Sequence, residues 1–198
     1  MTGTVRPIRD FIFNGFALEG ELHSIMRRLD GPTERGLGRF AGEEIVEPYI
    51  DQLAQEDRED ARFMAQYYEV FYLIENMLRR MIAQTMESTY DDRWWHSRVP
   101  QAVKDSVART QSREIDSAVT PRSSDPIDFT TFGELSQIIS FNGDAFGGVF
   151  TSVKAAERVI GLMNTLRGPI AHCGYLTDDE VARLYLAVRD LFRLMAAA

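Results

Sequence analysis

The chain is short of several things at once, and each shortage removes a class of protein. It holds one cysteine, Cys173, among 198 residues, which excludes an intrachain disulfide and any zinc site built on several thiolates. Acidic residues outnumber basic ones by 30 to 22, for a net charge of −8. That is the wrong sign for coating long stretches of duplex by neutralising phosphates. No window holds about 18 uncharged apolar residues, so no membrane span is expected. Residues 1–10 lack a signal peptide's apolar core and small-residue cleavage site, and cytoplasmic residence is the resulting expectation. Alternating β-branched runs are scarce, and proline is rare inside the periodic segments, so the pattern is helical nearly throughout.

Metal and cofactor signals are equally thin. His23 and His96 have no partner at metal-ligand spacing. The acidic runs Glu56 to Asp60 and Asp178 to Glu180 read as solvated helix starts. The run Gly36-Leu37-Gly38-Arg39-Phe40-Ala41 loosely matches a dinucleotide fingerprint, but no strand precedes it. No metal and no cofactor are therefore expected. Lysine is nearly absent too: Lys104 and Lys154 stand beside 20 arginines. Arginine suits bidentate phosphate contacts, although genomic composition bias is the simpler source of the excess.

Helical stripes are what the chain does have. A first helix is expected over Arg9 to Leu29, carrying Phe11 and Phe16, and Asp30-Gly31-Pro32 stops it. Phe11, Phe13 and Phe16 form either a docking stripe or, more simply, a face packed on the bundle. A Gly-rich loop, Gly31 to Gly42, leads to a short helix around Glu43 to Gln55. The strongest stripe follows: Phe63, Tyr67, Val70, Phe71, Ile74, Met77, Leu78, Met81, Ile82 and Thr85 recur at three- and four-residue steps and need a buried partner. Tyr90-Asp91-Asp92 marks a turn before a helix carrying Trp94, Trp95 and Val99. At least one of the tryptophans is expected in a core or interface, because the pair buries much area, although either could stack a base.

Pro100 opens a more polar helix, Gln101 to Ile115. Asp116 to Asp128 reads as an exposed loop. A short helix, Thr131 to Ser140, and a turn at Asn142-Gly143 come next. A third long helix starts near Ser152 with Val153, Ala156, Ile160, Met163 and Leu166 on its face. The last helix opens on the capping box Thr177-Asp178-Asp179-Glu180 and shows Val181, Leu184, Tyr185, Val188, Leu191, Phe192 and Met195.

Between the last two helices lies Arg167-Gly168-Pro169-Ile170-Ala171-His172, an R-x-x-x-x-H element. On an unbroken helix, residues five apart sit roughly 140° from each other around the axis and do not face one substrate. Proline disfavours the α conformation at the residue before it, and Pro169 suits a first helical turn. A break after Arg167 is therefore expected, at the tip of an α-hairpin, bringing a permanent cation and a titratable imidazole together. Cys173 follows directly and reads as a small, partly buried thiol. Glu75 and Arg79, at i and i+4, can pair along their helix, either as polar support for that element or as a solvated ion pair worth a few tenths of a kcal/mol.

Three ordered blocks give the chain a resemblance to the HEPN superfamily, and within it to the Swt-like HEPN branch. The first block runs from Tyr67-Tyr68-Glu69-Val70-Phe71-Tyr72 through Glu75-Asn76-Met77-Leu78-Arg79. The second is Trp94-Trp95 with Val99-Pro100. The third is Leu166 to Cys173, followed by Leu176-Thr177 and Glu180. Together they cover roughly Ala61 to Met195. The resemblance implies an all-α, HEPN-type up-and-down helical bundle over residues 57–198, with residues 1–56 as an N-terminal helical extension and Gly-rich loop.

It also implies a metal-independent endoribonuclease acting on single-stranded RNA, often as a homodimer with both R-x-x-x-x-H elements near the twofold. Carried over by position, Arg167 contacts the scissile phosphate, and His172 is general acid or base on the ribose 2′-hydroxyl or the leaving oxygen. Imidazole chemistry near neutral pH and an aimed guanidinium fit those roles. Glu75, Asn76 and Arg79 are the implied supporting residues. A toxin or defence role, with an antitoxin or regulatory protein as partner, comes from the resemblance alone. One position departs from it: similar proteins often carry a polar residue, commonly Asn, after the arginine, where this chain has Gly168. The alternative is accordingly a catalytically inactive HEPN module that binds RNA, a nucleotide or a partner protein; a helical scaffold is a third.

Overall fold

The computed structural model describes residues 49–196. The expected helix Arg9 to Leu29, the Gly-rich loop and the Phe11, Phe13 and Phe16 stripe lie outside the described residues. By Cα proximity the chain divides into two compact units, Met1–Gln66 and Tyr67–Ala198. In the first, the helix expected to reach Gln55 does not. The amides of Gln52 and Leu53 donate to the carbonyls of Tyr49 and Ile50 at 3.1 and 3.0 Å, and such three-residue bonds tighten the backbone into a turn. Arg58 pairs with Asp51 at 2.6 Å there.

The elements are α1 (Gln55–Tyr90), α2 (Trp94–Arg98), α3 (Gln101–Asp116), a 3₁₀ turn (Pro126–Phe129), α4 (Phe132–Phe141), α5 (Gly143–Phe146), α6 (Val153–Ala171) and α7 (Asp178–Ala196). No strand occurs among the described residues, and the fold is all-α as expected. None of the described helices is long and apolar enough to cross a membrane. The acidic run Glu56 to Asp60 falls in the opening turns of α1, with Glu56 and Asp57 in the first turn, where negative charge meets the positive end of the helix dipole.

The core of the second unit is built from helical stripes. On α1, Tyr67, Phe71, Ile74, Leu78, Met81 and Ile82 are buried. Phe132, Leu135, Ile138 and Ile139 of α4 and Ala156, Ile160, Met163 and Leu166 of α6 join them. Phe71 meets Phe132 edge-on at 6.0 Å between ring centroids, and Tyr67 meets Tyr185 of α7 at 6.4 Å. Burial, and to a smaller extent Tyr185, Tyr175 and Asp178 nearby, push the Tyr67 phenol up from its usual pKa. α6 packs against both α4 and α7. The Thr151 amide donates to the Leu194 carbonyl at 2.9 Å, so the start of α6 lies beside the end of α7 and the two form an antiparallel hairpin.

Local chemistry explains most boundaries. Thr131 and Glu134 cap α4 reciprocally, with the Thr131 amide donating to Glu134 Oε2 at 2.7 Å. Ser152 caps α6, accepting from the Ala155 amide at 3.2 Å, and Thr177 and Glu180 join side chains at the start of α7. Trp94 is buried and Trp95 half-buried. Val99, expected on the tryptophan helix, is extended (φ −90°, ψ 134°), because the following Pro100 disfavours the α region.

Two expectations for the last helices need correcting. On α7 the buried positions are Leu184, Ala187, Leu191 and Met195, spaced three, four and four. Tyr185 and Phe192, expected on that face, lie one residue off the stripe, about 100° around the axis, and stay 51 % and 40 % exposed. The turn at Asn142-Gly143 is also more than a turn. The buried Asn142 amide group donates to the Arg98 carbonyl at 3.0 Å and to the Ile138 carbonyl at 2.9 Å, tying the end of α2 to the α4–α5 junction.

Candidate functional site

The middle of α1 turns one polar residue inward. Glu75 lies on the same face as Phe71, Ile74 and Leu78, and its side chain is only 12 % exposed. A lone carboxylate there would be costly to desolvate. It is instead shared by two guanidinium groups. Arg79, one turn along, pairs with Oε1 through Nη2, and the same nitrogen donates to the Thr130 carbonyl at 2.8 Å. From α6, Arg167 brings Nε within 3.3 Å of Oε2. Glu75 and Arg79 are thus no solvated pair; they form a part-buried triad with Arg167. Asn76, the remaining expected support, donates from Nδ2 to its own helix at the Tyr72 carbonyl, 2.7 Å away.

The expected break after Arg167 does not occur. α6 runs unbroken to Ala171 with Pro169 inside it. The pre-proline penalty arises partly between the proline ring and the preceding Cβ. Gly168 has no Cβ, so the feature taken as a sign of a break is what lets the helix continue. The helix then closes two residues past the proline. His172 is its C-cap, with φ −112° and ψ 24°. Cys173 takes a left-handed conformation, φ 57°. The Gly174 amide donates to the Pro169 carbonyl at 2.6 Å and the Cys173 amide to the Ile170 carbonyl at 3.4 Å, the pair of bonds that defines a Schellman stop. Glycine fits one place later than usual, where a Cβ at Gly174 would lie a tight 3.2 Å from the Pro169 carbonyl oxygen. Cys173 sits outside the core on this turn and is exposed, not partly buried.

A cleft of about 270 Å³ opens between α1, α6 and the loop after α3, lined by Arg79, Arg122 and Arg167, by Glu75 and Asn76, and by Tyr68 and Tyr72 among others. Ile170 and Ala171 complete its α6 side. His172 is not among its lining residues and is exposed. The R-x-x-x-x-H element therefore delivers its arginine to the cleft and its histidine to the helix end beyond it.

Arg167 is well suited to hold an anion. Glu75 engages its Nε, and neither Nη atom hydrogen-bonds to a described residue. Those two donors match the geometry of a phosphate. Arg122 adds a second cation, held by Glu114 through Nε at 2.7 Å with its guanidinium 5.3 Å from the Phe129 ring. Arg122, Tyr68 and Tyr72 went unassigned from sequence. A single arginine in a polar loop carries no signal there. The tyrosines do carry one: they are aromatic residues on α1 that fall off its buried stripe.

The fold and cleft together define a helical-bundle domain with an arginine-lined cleft. The model of the Swt1-like HEPN family matches residues 69–196, a span that takes in every cleft residue except Tyr68. The chain belongs to that family. No curated protein and no solved structure matches it.

Proposed function

We propose that this protein is a metal-independent endoribonuclease of HEPN type that cuts single-stranded RNA as a homodimer. The observation that carries the proposal is the Arg167 guanidinium, anchored on the buried Glu75 at 3.3 Å and lining a cleft it shares with Arg79 and Arg122. Arg167 binds the scissile phosphate and offsets the charge that builds on it. His172 takes the proton of the ribose 2′-hydroxyl. The 2′-oxygen then bonds to phosphorus as the bond from phosphorus to the 5′-oxygen breaks, and a proton is returned to that leaving oxygen. A 2′,3′-cyclic phosphate and a 5′-hydroxyl result. Glu75, Asn76 and Arg79 support Arg167. Since α6 is continuous, the histidine that meets a given Arg167 is supplied in the dimer, where the two R-x-x-x-x-H elements adjoin.

Residues 1–56 form an accessory extension to the HEPN bundle of residues 57–198. A cytoplasmic toxin or defence effector, held in check by an antitoxin or regulatory protein, is the biological role proposed with this chemistry.

The unbroken α6 and the exposed His172 favour one second reading: a non-catalytic HEPN module that binds RNA, a nucleotide or a partner protein through the cleft. Incubation of the purified protein with single-stranded RNA in EDTA separates the two. Cleavage by the parent that yields cyclic phosphate ends, and is lost in both Arg167→Ala and His172→Ala while both stay folded, supports the nuclease. Binding without cutting favours the module, and cutting that needs a divalent metal contradicts the mechanism. Gly168→Asn introduces the polar residue common in similar proteins; apart from its own helix backbone and its chain neighbours, Pro169 among them, an added Cβ there meets nothing within 4 Å, so the Pro169 ring sets its cost. A gain in cleavage rate is expected if that side chain orients the reacting groups. Growth arrest on expression, relieved by the same alanine substitutions, tests the toxin role.

A further inference from the structure

Two large aromatic side chains stand beside the cationic cleft with no core to fill. Tyr68 and Tyr72 sit one turn apart on α1 and stay 63 % and 58 % exposed. Their rings face each other loosely, with centroids 6.3 Å apart and planes tilted by 34°. An aromatic pair at this spacing adds only a few tenths of a kcal/mol to a helix. Both line the same cleft as Arg79, Arg122 and Arg167. Three guanidinium groups there face the carboxylates of Glu75 and Glu114, leaving an excess of positive charge in a chain whose net charge is −8.

We propose that Tyr68 and Tyr72 form a base-stacking platform that, with Arg122, reads one unpaired nucleotide next to the phosphate held by Arg167. This rests on the cleft being an RNA site, as proposed above, but does not need it to be catalytic. Tyrosine offers a flat apolar face on which any base can stack. A base inside a duplex is covered by its neighbours, so only a single strand, a loop or a bulge presents that face. At about 270 Å³ the cleft falls just below the roughly 300–1,000 Å³ usual for ligand pockets, a size that suits a single nucleotide. Arg122 is held by Glu114 and Phe129 on the wall of the same cleft as Arg167, which offers a second cation to the backbone of a bound strand. Phosphate at the arginines and base on the tyrosines together specify an unpaired strand, where the arginines alone would accept any polyanion.

The test measures binding apart from cleavage. Fluorescence anisotropy of the full-length protein with a labelled single-stranded RNA, 2′-fluoro throughout so that it keeps an RNA-like sugar but cannot be cut, is titrated at several salt concentrations and repeated with the matching duplex. Tyr68→Ala and Tyr72→Ala are each expected to weaken single-strand binding roughly 5- to 150-fold. The slope of log K against log salt should not change, because no ionic contact is lost. Tyr72→Phe should recover most of what Tyr72→Ala loses. Arg122→Ala should instead reduce the salt slope by about 0.7, the value for one phosphate contact on a single strand.

Equal binding of single strand and duplex by the parent overturns the platform, and so does alanine substitution without loss of affinity. Alanine variants that change only the oligomeric state, measured by sedimentation, also overturn it and make the tyrosines a protein contact. Stacking-dependent binding by a parent that never cuts ribose-containing RNA upholds the platform while removing the nuclease. Cleavage that persists at parental rates in the tyrosine variants does the reverse.

Discussion

Arg167 and His172 stand five residues apart at one helix end, under opposite physical conditions. Arg167 reaches into a cleft and is held by a carboxylate that also binds Arg79. His172 closes the helix on an exposed turn, and its ring makes no hydrogen bond to a described residue. One residue is positioned by packing and charge, the other only by the backbone that carries it. A motif spelled as one element is thus two separate things in the fold: an anchored arginine that lines a cleft and a histidine on an exposed turn outside it. Under the proposed mechanism the arginine half works within one protomer, whereas the histidine half depends on dimer assembly.

Substitutions at the two ends should separate accordingly. His172→Ala is expected to lower the cleavage rate about 10²–10⁴-fold while changing the free energy of urea unfolding by no more than a surface substitution does, about 0.5 kcal/mol. Loss of stability equal to loss of activity would mean that the histidine is structural after all. Glu75→Ala should act in the opposite sense. It leaves the Arg79 guanidinium, 14 % exposed, without its carboxylate, at a cost of about 3 kcal/mol in equilibrium unfolding. A change below about 1 kcal/mol would show that the triad is solvated in solution.

The helix end itself carries the next two tests. If α6 is continuous through Pro169, Pro169→Ala restores a missing N–H and should stabilise the protein by roughly 1–3 kcal/mol. If the chain breaks there and Pro169 opens a new segment, the same change should be neutral or destabilising, so denaturant unfolding distinguishes the two geometries directly. The smallest effect is expected at Cys173. Its φ of 57° strains any side chain, and Cys173→Gly should add about 1 kcal/mol of stability without altering cleavage.

Legibility from sequence followed the same division. The long stripe Phe71, Ile74, Leu78, Met81 and Ile82 was legible because burial on one face of a helix repeats every three to four residues. The helix starts near Ser152 and at Thr177 were legible because the bonds made there are local. The Glu75–Arg79 spacing showed that a pair was available but not that it is buried, since i, i+4 ion pairs look alike on either side of a helix. Gly168-Pro169 misled because the two residues act in opposite directions: the proline disfavours the helix and the glycine removes part of that penalty. Arg122 was beyond reach, because a loop has no periodicity to say where its residues point.

What the sequence determined by itself is therefore the set of helices, their apolar faces and the membership of the chain in a helical family. All of these rest on interactions within a few residues of each other. The tertiary structure alone decided that Glu75 on α1 meets Arg167 on α6, that Arg122 and two tyrosines border the same cleft, and that His172 stays outside it. Those facts depend on how helices distant in sequence are packed, and on whether one turn of backbone bends or runs straight. Such choices turn on small differences between large opposing energies, which no local pattern of residues records.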